Sequence, residues 1–163
     1  MNTRDLAATL TTLFGELVEG PATGEAYVLN RGDAGLLRSL EKLTARDASV
    51  GVSGGASIAA HADHLRYGLS LMNRWSAGEN PFSDADWSAS WRRMSVTDAE
   101  WRELQTELRS EARKWLDALR VPRDVTAAEL NGLVGSIAHL AYHLGAIRQI
   151  NRTTRGPAEP GLG

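Results

Sequence analysis

The fold class follows from the stretch TDAEWRELQTELRSEARKWLDAL, which covers residues 97–119. Its first four residues form a capping box, in which Thr97 and Glu100 can each satisfy a free backbone N–H at a helix start. Behind the box, apolar residues recur at intervals of three and four, which is the period of an amphipathic α-helix. These residues are Trp101, Leu104, Leu108, Ala112, Trp115 and Leu119. The stretch therefore predicts a long helix with one face in a hydrophobic core.

The rest of the chain has the same helical character. A second capping box at Thr126 begins another helix, which the apolar pattern carries to about Asn151. Apolar residues at helical spacing predict further helices over residues 3–20, 33–46 and 57–75. No stretch of convincing length has the two-residue period of a strand. The sequence therefore predicts an all-α protein, in which the long helices pack as an up-and-down bundle with a short extra helix.

A long loop interrupts this helical pattern. It runs from Gly78 to Trp91, is acidic and contains two tryptophans. At about fifteen residues it exceeds the usual connection length, and loops of that size tend to be functional or lid-like. The length of the chain favours a single domain, which we expect over residues 1–152. A flexible tail rich in glycine and proline is expected over residues 153–163.

The composition excludes several classes of function. The chain has 18 basic and 20 acidic residues, so it lacks the basic excess that is typical of nucleic-acid binding. It has no cysteine, which excludes disulfides, thiolate metal ligands and a cysteine nucleophile. No apolar run approaches the ~18–20 residues of a membrane span, and the first residues do not resemble a signal peptide. We therefore expect a cytoplasmic protein without nucleic-acid or membrane partners.

All four histidines fall in two pairs at helical spacing. His61 and His64 are three residues apart in one predicted helix, and His139 and His143 are four apart in the last one. Residues so spaced share a helix face, so two pairs on facing helices of a bundle could surround one divalent ion. The alternative is a set of hydrogen-bonded core histidines. On a helical wheel His61 lies nearer the centre of the apolar stripe, so the wheel alone slightly favours His61 over His64 as the inward residue.

Both pairs lie in motifs that resemble a known family. The segment SIAAHADHL, residues 57–65, resembles the first metal helix of the DinB/YfiT-like superfamily. The segment HLAYHLG, residues 139–145, resembles its second motif, H-x-x-x-H, on the last bundle helix. Residues 3–151 can be laid on that fold. The resemblance implies a four-helix bundle in an up-down-down-up arrangement, in which three histidines hold a divalent ion, commonly nickel or zinc.

The resemblance also implies which residues bind the ion. By the phase of the motif, the ligands are His64, His139 and His143. His61 is then a core residue, a residue behind the ligands, or a fourth ligand. The chain departs from the family after the last histidine, because residues 144–146 are Leu-Gly-Ala where many members have Arg-Gly-Gln. The next glutamine, Gln149, lies farther on, so the resemblance does not assign a glutamine to the pocket.

An activity follows from the same resemblance. Some members of the superfamily transfer low-molecular-weight thiols such as bacillithiol, mycothiol or glutathione, and a three-histidine site leaves a position open for such a ligand. The lack of cysteine agrees with a nucleophile supplied by another molecule. We therefore expect a metal-dependent thiol S-transferase that forms a homodimer. The alternatives are a non-catalytic metal-binding or stress-response protein, a structural homodimer that the ion stabilises, and a metal-dependent hydrolase.

Five residues near the motifs have expected roles of their own. Tyr142 precedes a ligand and is expected to pack between helices or to donate to a substrate. Arg148 lies opposite the histidines on its helix and is expected to be a surface cation, and Asp63 a solvated acid. Trp87 and Trp91 are expected either to cover the mouth of the pocket or to anchor the long loop to the bundle.

Overall fold

The computed structural model describes residues 2–22 and 25–158 of the chain. Within these ranges the regular structure is helical, and the only β-type pairing is one isolated bridge between Gly51 and Ser57. The six α-helices are α1 (Thr3–Glu19), α2 (Gly35–Glu41), α3 (Ala45–Ala48), α4 (Ile58–Ser76), α5 (Asp98–Leu119) and α6 (Ala127–Ile150), and two short 3-10 helices cover Ala89–Trp91 and Arg152–Thr154. The predicted all-α class is confirmed.

The predicted capping boxes define the helix starts. The side chains of Thr97 and Thr126 each accept the backbone N–H of the residue three positions on. In return, the carboxylates of Glu100 and Glu129 accept the backbone N–H of the capping threonine. Ser57 caps α4 through one bond of the same kind. These bonds set where α4, α5 and α6 begin, and therefore which way the histidines of α4 and α6 face.

The helix predicted over residues 33–46 is wrong in its extent, because the chain forms α2 and α3 there instead. Thr44 and Asp47 make a capping box that starts a new helix at residue 45. The leucine pattern runs past the end of α2 because Leu43, in the turn before α3, is buried in the same core as the leucines of α2. The leucines concerned are all buried: Leu36, Leu37, Leu40 and Leu43.

The hydrophobic core lies between the four long helices. α1 and α4 each contact both α5 and α6, so every long helix has two long neighbours. The largest side chains that are fully buried come from all four of these helices and include Phe14, Leu17, Leu65, Leu104, Leu108, Trp115 and Leu140. Among the described residues, none of the helices combines the length and the apolarity needed to cross a bilayer.

A buried ion pair joins α6 to the connector before α2. Arg148 donates from Nη2 to both carboxylate oxygens of Asp33, at 2.7 and 2.9 Å. The Asp33 side chain is only 2% exposed, and it also accepts the backbone N–H of Gly35 at 2.8 Å. The expectation that Arg148 is a surface cation is therefore wrong. Its partner is far away in sequence, so the helical wheel of α6 carries no sign of it.

The segment after α6 is attached to the same region. The 3-10 helix Arg152–Thr154 follows directly, and Thr154 is fully buried. The side-chain amide of Asn30 donates to the carbonyl oxygen of Pro157 at 2.9 Å. The first part of the expected tail therefore contacts the bundle. Its last part, residues 159–163, lies outside the described residues.

Candidate metal centre

Three histidines from α4 and α6 converge at one point. The Nε2 atom of His139 lies 3.1 Å from Nε2 of His64 and 2.9 Å from Nε2 of His143. One ring nitrogen of each residue lies within 4.8 Å of the other two. Two nitrogens that share an ion at bond lengths of about 2.0–2.1 Å are about 3.0–3.4 Å apart, so the observed spacing is close to that of a shared ion. The structure thus brings together the three predicted ligands, in a group that could hold a metal ion.

Ser90 determines the orientation of the His64 ring. Its hydroxyl donates to the carbonyl oxygen of Trp87 at 2.7 Å, so its oxygen is free to accept from Nδ1 of His64, also at 2.7 Å. These partners assign the ring proton of His64 to Nδ1 and leave a lone pair on Nε2, the atom that faces the other two histidines. Sequence reasoning missed Ser90, because nothing in the loop pattern distinguishes it from the other serines of that loop.

His61 lies behind His143 and not in the convergent group. The Nδ1 atoms of these two residues are 2.9 Å apart, so one donates to the other. When the proton is on His143 Nδ1, Nε2 of His143 presents its lone pair to the centre. Of the three positions expected for His61, the structure therefore shows the one behind the three converging histidines. Neither the wheel nor the motif could decide this, because it depends on the packing of α4 against α6.

The tryptophans of the long loop form one wall of the centre. The Trp91 ring stacks on the His64 ring, with centroids 4.2 Å apart and an angle of 23° between the planes. Trp91 also meets His61 edge-on at 5.3 Å. The ring centroids of Trp87 and His64 are 5.6 Å apart, and Trp87 remains 40% exposed. Both tryptophans therefore contact the histidines directly, and the loop covers this side of the site.

Burial keeps the four imidazoles neutral. Desolvation lowers the pKa of His61 and of His139. It also lowers the pKa of His64 to about 4 and that of His143 to about 3, with a smaller contribution from the neighbouring histidines. A neutral imidazole keeps the lone pair that coordinates a metal, so at pH 7 the group is in the protonation state that binds a divalent ion.

The expectation for Asp63 is wrong, and so is the packing role that was one of the two alternatives for Tyr142. Asp63 is buried, and its carboxylate oxygens lie 2.8 Å from Nε of Arg66 and 3.6 Å from Nε of Arg93. Tyr142 does not pack between helices, since it is 72% exposed and only meets the His143 ring edge-on at 5.0 Å. The Asp63 carboxylate thus forms ion pairs with two arginines and is not solvated.

Comparison of the chain with protein-family models, with curated proteins and with solved structures finds no match in any of the three. The functional interpretation therefore rests on the geometry of the site and on the resemblance of the two histidine motifs.

The hydrogen bond between His64 and Ser90 leads to a prediction about metal affinity. We expect Ser90→Ala to weaken zinc binding by about 10–100-fold, because residues that orient a ligand ring typically contribute that much. The affinity is measured by competition with a chromogenic chelator at pH 7.5. Ser83→Ala is the matched control, since Ser83 is an exposed serine of the same loop. Equal affinities of the Ser90→Ala and Ser83→Ala variants would contradict the orienting role.

The lowered pKa values lead to a prediction about pH. Unfolded histidines titrate near pH 6.5, whereas His64 and His143 titrate near 4 and 3 in the folded protein. Between these values the unfolded state binds more protons, so the free energy of unfolding of the metal-free protein should fall as the pH drops from about 6.5 to about 4. Urea midpoints at several pH values measure it. A His64→Gln/His143→Gln variant should show a weaker dependence, and an equal dependence would refute this explanation.

Proposed function

We propose that the protein binds a divalent ion through His64, His139 and His143. The observation that carries this proposal is the convergence of three Nε2 atoms within a buried group. Imidazole ligands suit nickel and zinc, and three of them leave at least one coordination position open. Ser90 and His61 support the proposal further, because each contacts the opposite nitrogen of a ligand ring, as the outer partners of metal-bound histidines do.

We also propose that the four long helices form the DinB-like bundle with an up-down-down-up arrangement. Contacts between helix pairs support this order. Between α4 and α6, His61 contacts His143 and His64 contacts His139, so residue numbers rise along one helix and fall along the other, which favours an antiparallel pair. Between α4 and α5, Arg66 contacts Glu107 and Trp75 contacts Trp115, so the numbers rise together, which favours a parallel pair.

The ligand that we propose for the open position is a low-molecular-weight thiol of the bacillithiol, mycothiol or glutathione type, activated for transfer to an electrophile. A bound divalent ion supplies the Lewis acidity that deprotonates a thiol near neutral pH. The chain itself orients the ligand rings through Ser90 and His61 and excludes water on one side through Trp91. A hydrolase is less well supported, because the buried acid nearest in sequence to the ligands, Asp63, is engaged by two arginines.

The test is a metal analysis of the purified protein followed by a rate measurement. We expect conjugation of one of the three thiols with 1-chloro-2,4-dinitrobenzene to require zinc or nickel and to stop on chelation. His143→Ala should lower the rate by at least about 100-fold, because it removes a ligand. The exposed Gln149 on the same helix provides the control variant Gln149→Ala. Metal binding without turnover over a panel of electrophiles would favour the non-catalytic metal-binding protein, and the absence of metal binding would contradict both.

We propose a homodimer as the assembly. The support is the outward face of α6, where Val134 and Tyr142 are 51% and 72% exposed. Apolar side chains that share an exposed helix face favour contact with another chain. Light scattering should give twice the mass of one chain, and a Val134→Glu/Tyr142→Glu variant should give the mass of a single chain.

A further inference from the structure

A groove between α4 and α6 opens directly beside the histidine centre. Its volume is about 290 Å³. Phe82 and Trp87 of the long loop stand at its rim, where they are 43% and 40% exposed. His139 belongs both to the groove wall and to the converging histidines. A molecule that fills the groove would therefore lie against the metal centre.

Three glycines keep this groove open. Gly68 of α4 and Gly132 and Gly135 of α6 all line it. A Cβ atom at Gly68 would come within 3.6 Å of Trp87 and 3.7 Å of His139. At Gly135 an added Cβ would meet nothing within 4 Å, so a side chain there would project into free space. Glycine destabilises a helix relative to alanine, so helix formation does not explain why three glycines lie along one groove.

The groove is suited to an uncharged molecule. Among the described residues that line it, none is an aspartate, a glutamate, a lysine or an arginine. Its one hydroxyl, on Ser136, already donates to the Leu133 carbonyl oxygen and accepts from Nε1 of Trp115. A charged group held among these side chains would lose water without gaining an opposite charge from a groove side chain, which is unfavourable.

The size of the groove limits the ligand further. An apolar cavity of about 150 Å³ accommodates benzene. The volume of about 290 Å³ is roughly twice as large, which corresponds to two fused rings or a chain of similar bulk. Leu65, Leu69 and Met72 supply the apolar and polarisable surface that such a group would contact.

From these contacts we infer that the groove binds a neutral, apolar group of about the bulk of two fused rings and directs the polar end of that molecule toward His139. In the proposed reaction this molecule is the second substrate, the electrophile. That role rests on the proposed function, whereas the binding of the apolar group depends only on the groove.

The inference is tested with two probes of equal size, 1-naphthalenemethanol and 1-naphthylmethylammonium, by calorimetry with zinc present and after chelation. The neutral probe should bind at least about tenfold more tightly than the cation, because the groove offers the cation no counter-charge. Gly135→Leu should lower the affinity for the neutral probe by at least about tenfold, because the new side chain fills the groove. Gly145→Leu, on the same helix with free space around it and outside the groove, should leave binding unchanged.

Two results would overturn the inference. One is unchanged binding of the neutral probe to a Gly135→Leu protein that keeps its helical circular dichroism. The other, which needs no variant, is binding of the cation as tight as that of the neutral probe. Zinc affinity is measured on the same samples, so the two proposals fail separately. If the wild-type protein binds zinc but not the neutral probe, the inference about the groove is contradicted. If it binds the neutral probe but not zinc, only the proposed metal function is contradicted.

Discussion

Replacement of His139 by alanine should abolish the thermal stabilisation that zinc gives to the protein. His139 is the central member of the group, with its Nε2 atom 3.1 Å from that of His64 and 2.9 Å from that of His143. An ion that binds only the folded state at about 100 times its dissociation constant adds about 2.7 kcal/mol, which corresponds to roughly 5–10 °C for a chain of this size. Because the proposed ligands lie on α4 and α6, this gain depends on the packing of the two helices.

The measurement is a melting curve with and without zinc. Wild type and the control Gln149→Ala should show the full shift, and His139→Ala should show almost none. Its zinc affinity should fall by at least about 100-fold, because even residues behind the ligands contribute 10–100-fold. Without zinc the variant should remain helical, since the ring is only partly buried. An equal zinc shift in His139→Ala and wild type would exclude His139 as a ligand.

Replacement of Arg148 by alanine should lower the free energy of unfolding by about 3–5 kcal/mol, since it leaves a buried carboxylate without its counter-charge. The Asp33 side chain is 2% exposed and has Arg148 as its ion-pair partner. Arg120→Ala is the matched control, because Arg120 pairs with Asp117 on the surface, where both side chains are more than half exposed. That change should cost less than about 1 kcal/mol. Urea unfolding at pH 7 compares the two.

A double variant separates the charge from the packing. Asp33→Asn/Arg148→Met leaves no buried charge, and the amide oxygen at position 33 can still accept the N–H of Gly35. It should therefore be more stable than Arg148→Ala alone, as expected when a buried ion pair is replaced as a whole. If Arg148→Ala were no more harmful than Arg120→Ala, the buried pair would contribute little to stability.

The sequence alone was enough to predict most of the helices, because their signals are local. The capping boxes at Thr97 and Thr126 join residues only three positions apart, and both define helix starts in the structure. The same kind of box at Thr44 starts α3. Leucine periodicity concealed that break, since Leu43 lies in the turn before α3 and still continues the spacing of the α2 leucines into the same core.

The sequence also determined which histidines share a helix face, since spacing of three or four residues is a property of the helix itself. Spacing left open which members of the two pairs meet: the helical wheel favoured His61, the resemblance of the motif favoured His64, and the packing of α4 against α6 decided between them. This packing brings His64 to His139 and places His61 behind His143. Ser90 reaches the centre from a loop whose path has no periodicity, so no local pattern could identify it.

The tertiary structure alone decided which charged residues are buried and which are solvated. Arg148 and Asp33 are 115 residues apart in the chain, and the helical wheel of α6 assigned Arg148 to the surface. Asp63 was misjudged in the same way, because its second arginine, Arg93, comes from beyond the long loop. A charge can be buried only where a partner compensates its lost hydration. Since that partner can come from any part of the chain, the three-dimensional fold decides whether a charged residue is solvated or buried.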